Sequence, residues 1–297
     1  MSGRARCRAV SRRPRRYGVT QMRSAILTAF PPEWDALAHR LADPETLEIN
    51  GTPLVLGTLA GKPVALMLSG ISMVNAAMNT QALLDRHPIR RIVFSGIAGG
   101  VDPALRVGDV SVPARWGQNM EFAFAREIPG GFAPPIGIPG GTDLPGYGAM
   151  FPRDVLIGRA GEPVAERRWF PVDPELLAIA EKLDVPLERC LPGDPPHCLD
   201  HTPIIVPGGT GMSGSAFVDN AAYRDYLAAT FAATVVDMES AAVAQVAWAN
   251  RVPFLAFRSV SDLAGGDAGP NQMLTFMGLA AGNSAAVVTA FVEALPD

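Results

Sequence analysis

The sequence predicts an α/β fold, and three observations carry that reading. Short apolar runs alternate with segments of helical periodicity along most of the chain. The runs are apolar without strict alternation, as strands of a buried central sheet are. The chain has 297 residues, of which 48% are apolar, enough to bury a core for one large domain or two small ones. No fixed-period repeat is visible, so a solenoid or propeller is not supported.

Taken in order, Ser24–Ala29 is a first strand-like run. Pro31-Pro32 then opens a helix with Glu33 in its first turn and Trp34, Leu37, Ala38 and Leu41 on one face. Pro53–Leu59 and Pro63–Leu68 flank the turn Ala60-Gly61-Lys62 and predict a hairpin. Met73–Asp85 reads as a helix. Arg91–Ser95 reads as a buried strand running into Gly96-Ile97-Ala98-Gly99-Gly100, and Val107–Val112 as another strand. Pro174–Leu183 is predicted helical, Thr202–Val206 extended and Tyr223–Thr230 helical. Strands Thr234–Asp237 and Pro253–Phe257 bracket a helix over Glu239–Ala249. Residues 129–171 break the rhythm with clustered Pro and Gly and five aromatics, and read as a pocket-forming insertion.

Ala268–Val292 carries no charge and is long enough to span a bilayer, but Pro270, Asn271, Gln272, Asn283 and Ser284 dilute it. Leu274, Met277, Ala281, Ala285 and Val288 recur at three- and four-residue steps, the stripe of a buried helix. The protein therefore reads as soluble, with no membrane partner. Its three cysteines argue against a disulfide scaffold and for a reducing compartment, hence the cytoplasm.

Residues 1–21 hold seven Arg and no acid, and the remaining chain has 18 basic against 29 acidic residues. A body that acidic is a poor grip for a nucleic-acid backbone. Residues 1–22 read as a disordered tail or a misassigned start ahead of Met22, leaving a domain over 23–297.

Motifs narrow the chemistry. The glycines at 96–100 match neither GxGxxG nor GxxxxGK[ST]; either a tight turn or a close backbone approach to something small explains them. His197, Cys198, His201 and Cys190 match no standard zinc spacing and lie among prolines, which reads as a surface loop; no metal or organic cofactor is expected. Three carboxylates stand just beyond predicted strands: Glu33, Glu239 in Asp237-Met238-Glu239, and Asp262 in Arg258-Ser259-Val260-Ser261-Asp262. That is the end of a strand at which α/β sheets bind ligands.

These residues, with Ser95–Gly100 and Gly214-Ser215-Ala216-Phe217-Val218, resemble the nucleoside phosphorylase/nucleosidase superfamily in order and spacing from about residue 23 to 295. The branch most similar is that of the methylthioadenosine/S-adenosylhomocysteine nucleosidases. The resemblance implies a three-layer α/β fold with a central mixed, partly barrelled sheet flanked by helices. It also implies hydrolysis of the N-glycosidic bond of a purine nucleoside, in a homodimer. Asp262 then matches the acid that protonates the purine, and Glu33 the base that activates water, in the two-carboxylate manner of inverting glycosidases. Glu239 matches the ribose-binding carboxylate, Met238 the residue under the sugar, Phe217 the stacking aromatic and Val218 the backbone partner of the base. Arg258, Gly96 and Ile97 fall near the ribose and water, and Phe30, Ile71 and Met273 would form an apolar pocket for a 5′ substituent.

The alternative to hydrolysis is phosphorolysis. Where hexameric bacterial phosphorylases of the superfamily place an Arg and a Ser for phosphate, this sequence has Phe94 and Ile97, which makes water the expected nucleophile. Ser215 also replaces a common Asp. A non-catalytic nucleoside-binding relative is the other alternative, opposed by the joint presence of Glu33, Glu239 and Asp262.

Overall fold

The computed structural model describes residues 21–137 and 143–296; the arginine-rich head lies outside the described residues. Strand β1 (Arg23–Thr28) puts Ala25, Ile26 and Leu27 in the core with no exposed surface. Helix α1 (Pro31–Ala38) begins with two prolines, whose fixed φ suits a first turn that needs no N–H partners. Strand β2 (Ala42–Ile49) follows. Strands β3 (Thr52–Leu59) and β4 (Lys62–Leu68) form the predicted hairpin. Its two turn residues, Ala60 and Gly61, both have positive φ (48° and 76°), the primed geometry whose twist matches antiparallel strands.

Helix α2 (Met73–Arg86) leads to β5 (Ile89–Gly100), then β6 (Val110–Val112) and β7 (Arg115–Gln118). The region of the predicted insertion and its approach hold short strands: β8 (Phe122–Phe124), β9 (Arg126–Ile128), β10 (Gly131–Ala133), β11 (Met150–Pro152), β12 (Val155–Arg159), β13 (Glu162–Arg167) and β14 (Trp169–Pro171). Helix α3 (Pro174–Ala180), the small hairpin β15 (Cys190–Leu191) and β16 (His197–Cys198), then β17 (Ile205–Pro207) and β18 (Thr210–Ser213) come next. The chain closes with α4 (Ala221–Phe231), β19 (Ala233–Asp237), α5 (Ser240–Ala249), β20 (Phe254–Asp262) and α6 (Met273–Ala294).

Among the described residues twelve strands form one mixed sheet. Its path runs β14-β7-β18-β19-β5-β1-β4-β3-β2, while β20 pairs with β5 and β6, and β6 with β17. Strand β5 is the branch point: β1 and β20 flank it in parallel, and its last two glycines pair antiparallel with β19. A large central mixed sheet flanked by helices is the architecture expected. Helices pack on it in two groups, α6 with α1 and α3, and α5 with α2.

Several expectations need correction. Gly96–Gly100 is not a turn but extended β5 strand, so its glycines serve close packing. The 107–112 and 202–206 strands shrink to β6 and β17. On α6 the stripe holds from Ala281 onward, but Leu274 is 75% exposed. That helix is apolar and long enough to cross a membrane, yet most of it is buried against β5 and β20. Cys190 and Cys198 form a disulfide across the β15–β16 hairpin, which the cysteine count did not anticipate because spacing alone does not fix proximity.

Candidate active site

The strand ends converge on one cavity of about 210 Å³. Ten of the predicted residues line it: Glu33, Phe30, Ile71, Ile97, Phe217, Val218, Met238, Glu239, Asp262 and Met273. Arg258 and Gly96 do not line it; they form the layer immediately behind. None of the described residues of 129–171 lines it. The insertion instead packs elsewhere, with Phe170 buried and paired in β14 against β7, and Tyr147 edge-on to Tyr223 of α4. The pocket-forming role predicted for it is not what the structure shows for those residues.

Arg258 organises the charged floor. Its position in the middle of β20 leaves it no solvent, and three carboxylates surround it. Nε donates to Ser240 Oγ at 2.9 Å and stands 2.8 Å from Asp237 Oδ2 as an ion pair. Nη1 stands 3.6 Å from Glu33 Oε1, and Nη2 3.6 Å from Glu239 Oε2. The Phe94 ring lies 4.0 Å beneath the guanidinium carbon, so this residue faces Arg258 and not the cavity. A buried cation alone would be prohibitive; its carboxylates make it tolerable, and its removal would leave them uncompensated.

Each carboxylate is held by backbone. Glu33 Oε2 accepts from Ala29 N at 2.6 Å and Oε1 from Ile97 N at 2.9 Å. Burial pushes the Glu33 carboxyl up, opposed by Arg258 and these N–H groups. Glu239 Oε1 accepts from Ser72 N at 2.7 Å. Ser72 itself adopts φ 80°, ψ 158°, a conformation natural only to glycine. Burial pushes Glu239 up to about 8 against the pull of Arg258, with Asp237 adding to the rise.

Asp237 was part of the noted motif but not foreseen as a structural hub. Its Oδ1 accepts from Glu239 N and Ser240 N, both at 3.1 Å, and from the Ser213 hydroxyl, which in turn accepts from Ala241 N. The start of α5, and with it Glu239, is thereby fixed to the end of β19. Only its place at a strand end could have signalled this. Ser72 acts through its backbone, for which the sequence carries no signal.

Asp262 closes β20 on the opposite wall. Its Oδ1 accepts from Ala264 N (2.9 Å) and Asn271 Nδ2 (3.2 Å), and Ser261 Oγ lies 2.9 Å from Oδ2. Burial raises its pKa against these donors, which favours the protonated acid. Gly96 supplies space. A Cβ there would stand 2.1 Å from Arg258 Nη1 and 2.4 Å from Glu33 Oε1. The Gly96 N–H is anchored from behind by Ser284 Oγ of α6 at 3.1 Å. The cavity thus brings Asp262, Glu239 and the Arg258-linked Glu33 to one space, with a half-exposed Phe217 at the rim.

The chain is similar to known proteins along most of its length. The 5′-methylthioadenosine/S-adenosylhomocysteine nucleosidase of Tolumonas auensis is 30% identical over 277 residues, covering 92% of this chain and all of that protein. The protein of the same name from Bacillus thuringiensis is 32% identical over 248 residues, covering 82% of this chain and 87% of its own. The solved Colwellia psychrerythraea nucleosidase of that name, in complex with adenine, superposes with TM-score 0.67 at 26% identity, over 92% of this chain and 96% of the other. The Streptococcus pneumoniae structure with a transition-state inhibitor shares the fold, with TM-score 0.68 at 24% identity over 93% of this chain and all of that one. The phosphorylase superfamily model matches residues 23–293, and the chain belongs to that superfamily.

Proposed function

We propose that the protein is a nucleosidase that hydrolyses the N-glycosidic bond of a 5′-substituted adenosine, such as methylthioadenosine or S-adenosylhomocysteine, and releases adenine. The observation that carries this reading is the convergence of Glu33, Glu239 and Asp262 on one apolar cavity. Asp262 gives its proton to N7 of the purine, so that the base leaves neutral as positive charge builds on the ribose. Glu33 takes a proton from water, which attacks the anomeric carbon from the face opposite the base. Its raised basicity suits that task, and Arg258 beside it keeps the carboxylate available. Glu239 accepts from the ribose hydroxyls. Phe217 stacks on the purine, and the Val218 backbone meets the adenine edge.

Water rather than phosphate is the nucleophile in this reading. No Lys, Arg or His stands among the described residues lining the cavity, and the Arg258 cation is already committed to carboxylates. Phe30, Ile71 and Met273 form an apolar wall suited to an alkylthio group. A second copy of the chain, docked on α2, belongs to the same proposal. Val74 and Met78 there are 74% and 49% exposed beside Ile71, an apolar face that pairing would cover.

The test is adenine release from methylthioadenosine with and without phosphate, for the wild type and Asp262→Asn. Phosphate-independent release lost in the variant is the expected result. Release only with phosphate would make the protein a phosphorylase, and binding without release would make it a nucleoside-binding relative.

A further inference from the structure

Asn271 lies outside the residues assigned so far, in the segment joining β20 to α6. Its carboxamide has one acceptor oxygen and two donor hydrogens, and all are engaged. Oδ1 accepts from Met273 N at 2.9 Å, across the start of α6. Nδ2 lies 3.2 Å from Asp262 Oδ1 and 3.2 Å from Asp219 Oδ1. Asp219 follows Val218, which lines the base side of the cavity. One side chain therefore joins the acid, the base-side loop and the first turn of α6.

The segment it ties down is anchored at its start by buried Ala264 and is rich in glycine beyond it. It contains Gly265, Gly266, Gly269 and Pro270, and Gly265 takes φ +89°. Its other ties include Gly266 N to Leu263 O, Leu263 N to Asp267 Oδ2, Asn220 N to Ala264 O, Ala264 N to Asp262 Oδ1, and Thr275 N and Phe276 N to Gln272 O.

The consequence for the acid is geometric. Asp262 Oδ1 already receives two N–H donors, from Ala264 and Asn271, which occupy both of its lone pairs. Among the described residues Oδ2 has the Ser261 hydroxyl as its hydrogen-bond partner, and that hydroxyl has the Ala98 carbonyl oxygen within reach at 3.4 Å. A neutral Asp262 therefore keeps its proton on Oδ2.

We propose that Asn271 is a positioning residue for the acid: it clamps the 263–272 segment to Asp219 and reserves one Asp262 oxygen as acceptor, so that the proton resides on the other. This rests on the reading of Asp262 as the acid. The charged groups around Asp262 include Asp267 in its own segment, Asp219 in the base-side loop, Arg224 of α4 against Gly266, Glu33, Asp237 and Glu239 elsewhere around the cavity, and Arg258 behind them.

Three variants separate a clamp from a mere helix cap. Asn271→Ser keeps an oxygen for Met273 N but loses both amide donors; Asn271→Ala loses everything; Asn271→Asp keeps the oxygen and sets a third carboxylate between Asp219 and Asp262. Each is read three ways: the pH profile of kcat/KM for methylthioadenosine, a carbon-13 NMR titration of the Asp262 carboxyl in the ligand-free protein, and the melting temperature. A clamp predicts that the Ser variant, which keeps the helix cap, melts between the Ala variant and the wild type. Its Asp262 titration and the basic limb of its profile both move to higher pH, because a donor to the ionised form is gone. Adenine then binds roughly tenfold or more weakly. The Asp variant moves the titration further in the same direction. A Ser variant with wild-type titration, profile and adenine affinity, beside an Ala variant altered only in melting, overturns the proposal and leaves Asn271 a helix cap. If the wild type releases no adenine, the functional reading fails, while the ligand-free titration still decides whether Asn271 governs Asp262.

Discussion

Gly96→Ala isolates the contact between Glu33 and Arg258 from every other feature of the site. Gly96 does not have a positive φ, so alanine meets no backbone penalty and the perturbation is one methyl group. That methyl would lie 2.1 Å from Arg258 Nη1, whereas ordinary contact begins at 3.4 Å, so the guanidinium must retreat by about 1.3 Å. The Glu33 oxygen, 2.4 Å away, must retreat by about 1 Å. Neither has free volume: Arg258 is wholly buried and Glu33 is 2% exposed, each fixed by hydrogen bonds. Overpacking of this kind costs about 1–3 kcal/mol, which lowers the melting temperature by roughly 2–10 °C. With Glu33 activating the water as proposed, misplacing it and Arg258 by about 1 Å lowers kcat on the order of a hundredfold. KM should change little, because the base and 5′ contacts stand elsewhere. Steady-state adenine release together with thermal melting measures both. A variant with kcat within threefold of wild type and unchanged melting would refute the steric argument.

Three further outcomes are expected. Asp262 has a folded-state pKa above its ordinary 3.8, so its contribution to stability is complete at low pH and is lost as pH rises through the folded value. Asp262→Asn should therefore melt higher than wild type at about pH 8.5 and alike near pH 4; an unchanged gap across that range would contradict it. Phe217 is 52% exposed, so Phe217→Ala should leave stability within about 1 kcal/mol yet raise KM roughly tenfold or more through lost stacking. Ser72→Gly should relieve the strain at φ 80° and raise stability by about 1 kcal/mol while retaining activity, since the N–H that holds Glu239 remains; a lower melting temperature would argue against strain there.

The legible parts of the fold were those with an apolar pattern or a turn signal. Ala60-Gly61 marked the β3–β4 hairpin, and the runs at Ser24–Ala29 and Pro253–Phe257 became β1 and the first half of β20. Strand β2 was not legible because ADPETLEI is an exposed, charged edge strand that buries only Ile49. Strands β7 and β18 were hidden by brevity and by Gly117 and Gly211, which make room for Trp169 and Trp116. At the site, the residues whose side chains reach the cavity were readable from their motifs. Groups acting through backbone, such as Ser72 and Ala29, or from behind the wall, such as Ser284, leave no trace in a pattern of residue types.

The branch at β5 divides the cavity into parts that can change at different rates. Arg258, Asp237 and Asp262 belong to β20 and β19, whose register against β5 is set by backbone pairing, with one shift just before Asp262. Shifting any one of them moves its strand relative to all the others. Phe30, Ile71 and Met273 instead stand at or just before the starts of α1, α2 and α6, outside the ladder, where one side chain can be exchanged without disturbing a strand. Under mutation, the apolar wall is free to drift toward new 5′ groups while the charged floor is inherited as a unit. Diversity among descendants of this chain should then accumulate in what is attached to the ribose, and the bond that is broken should stay the same.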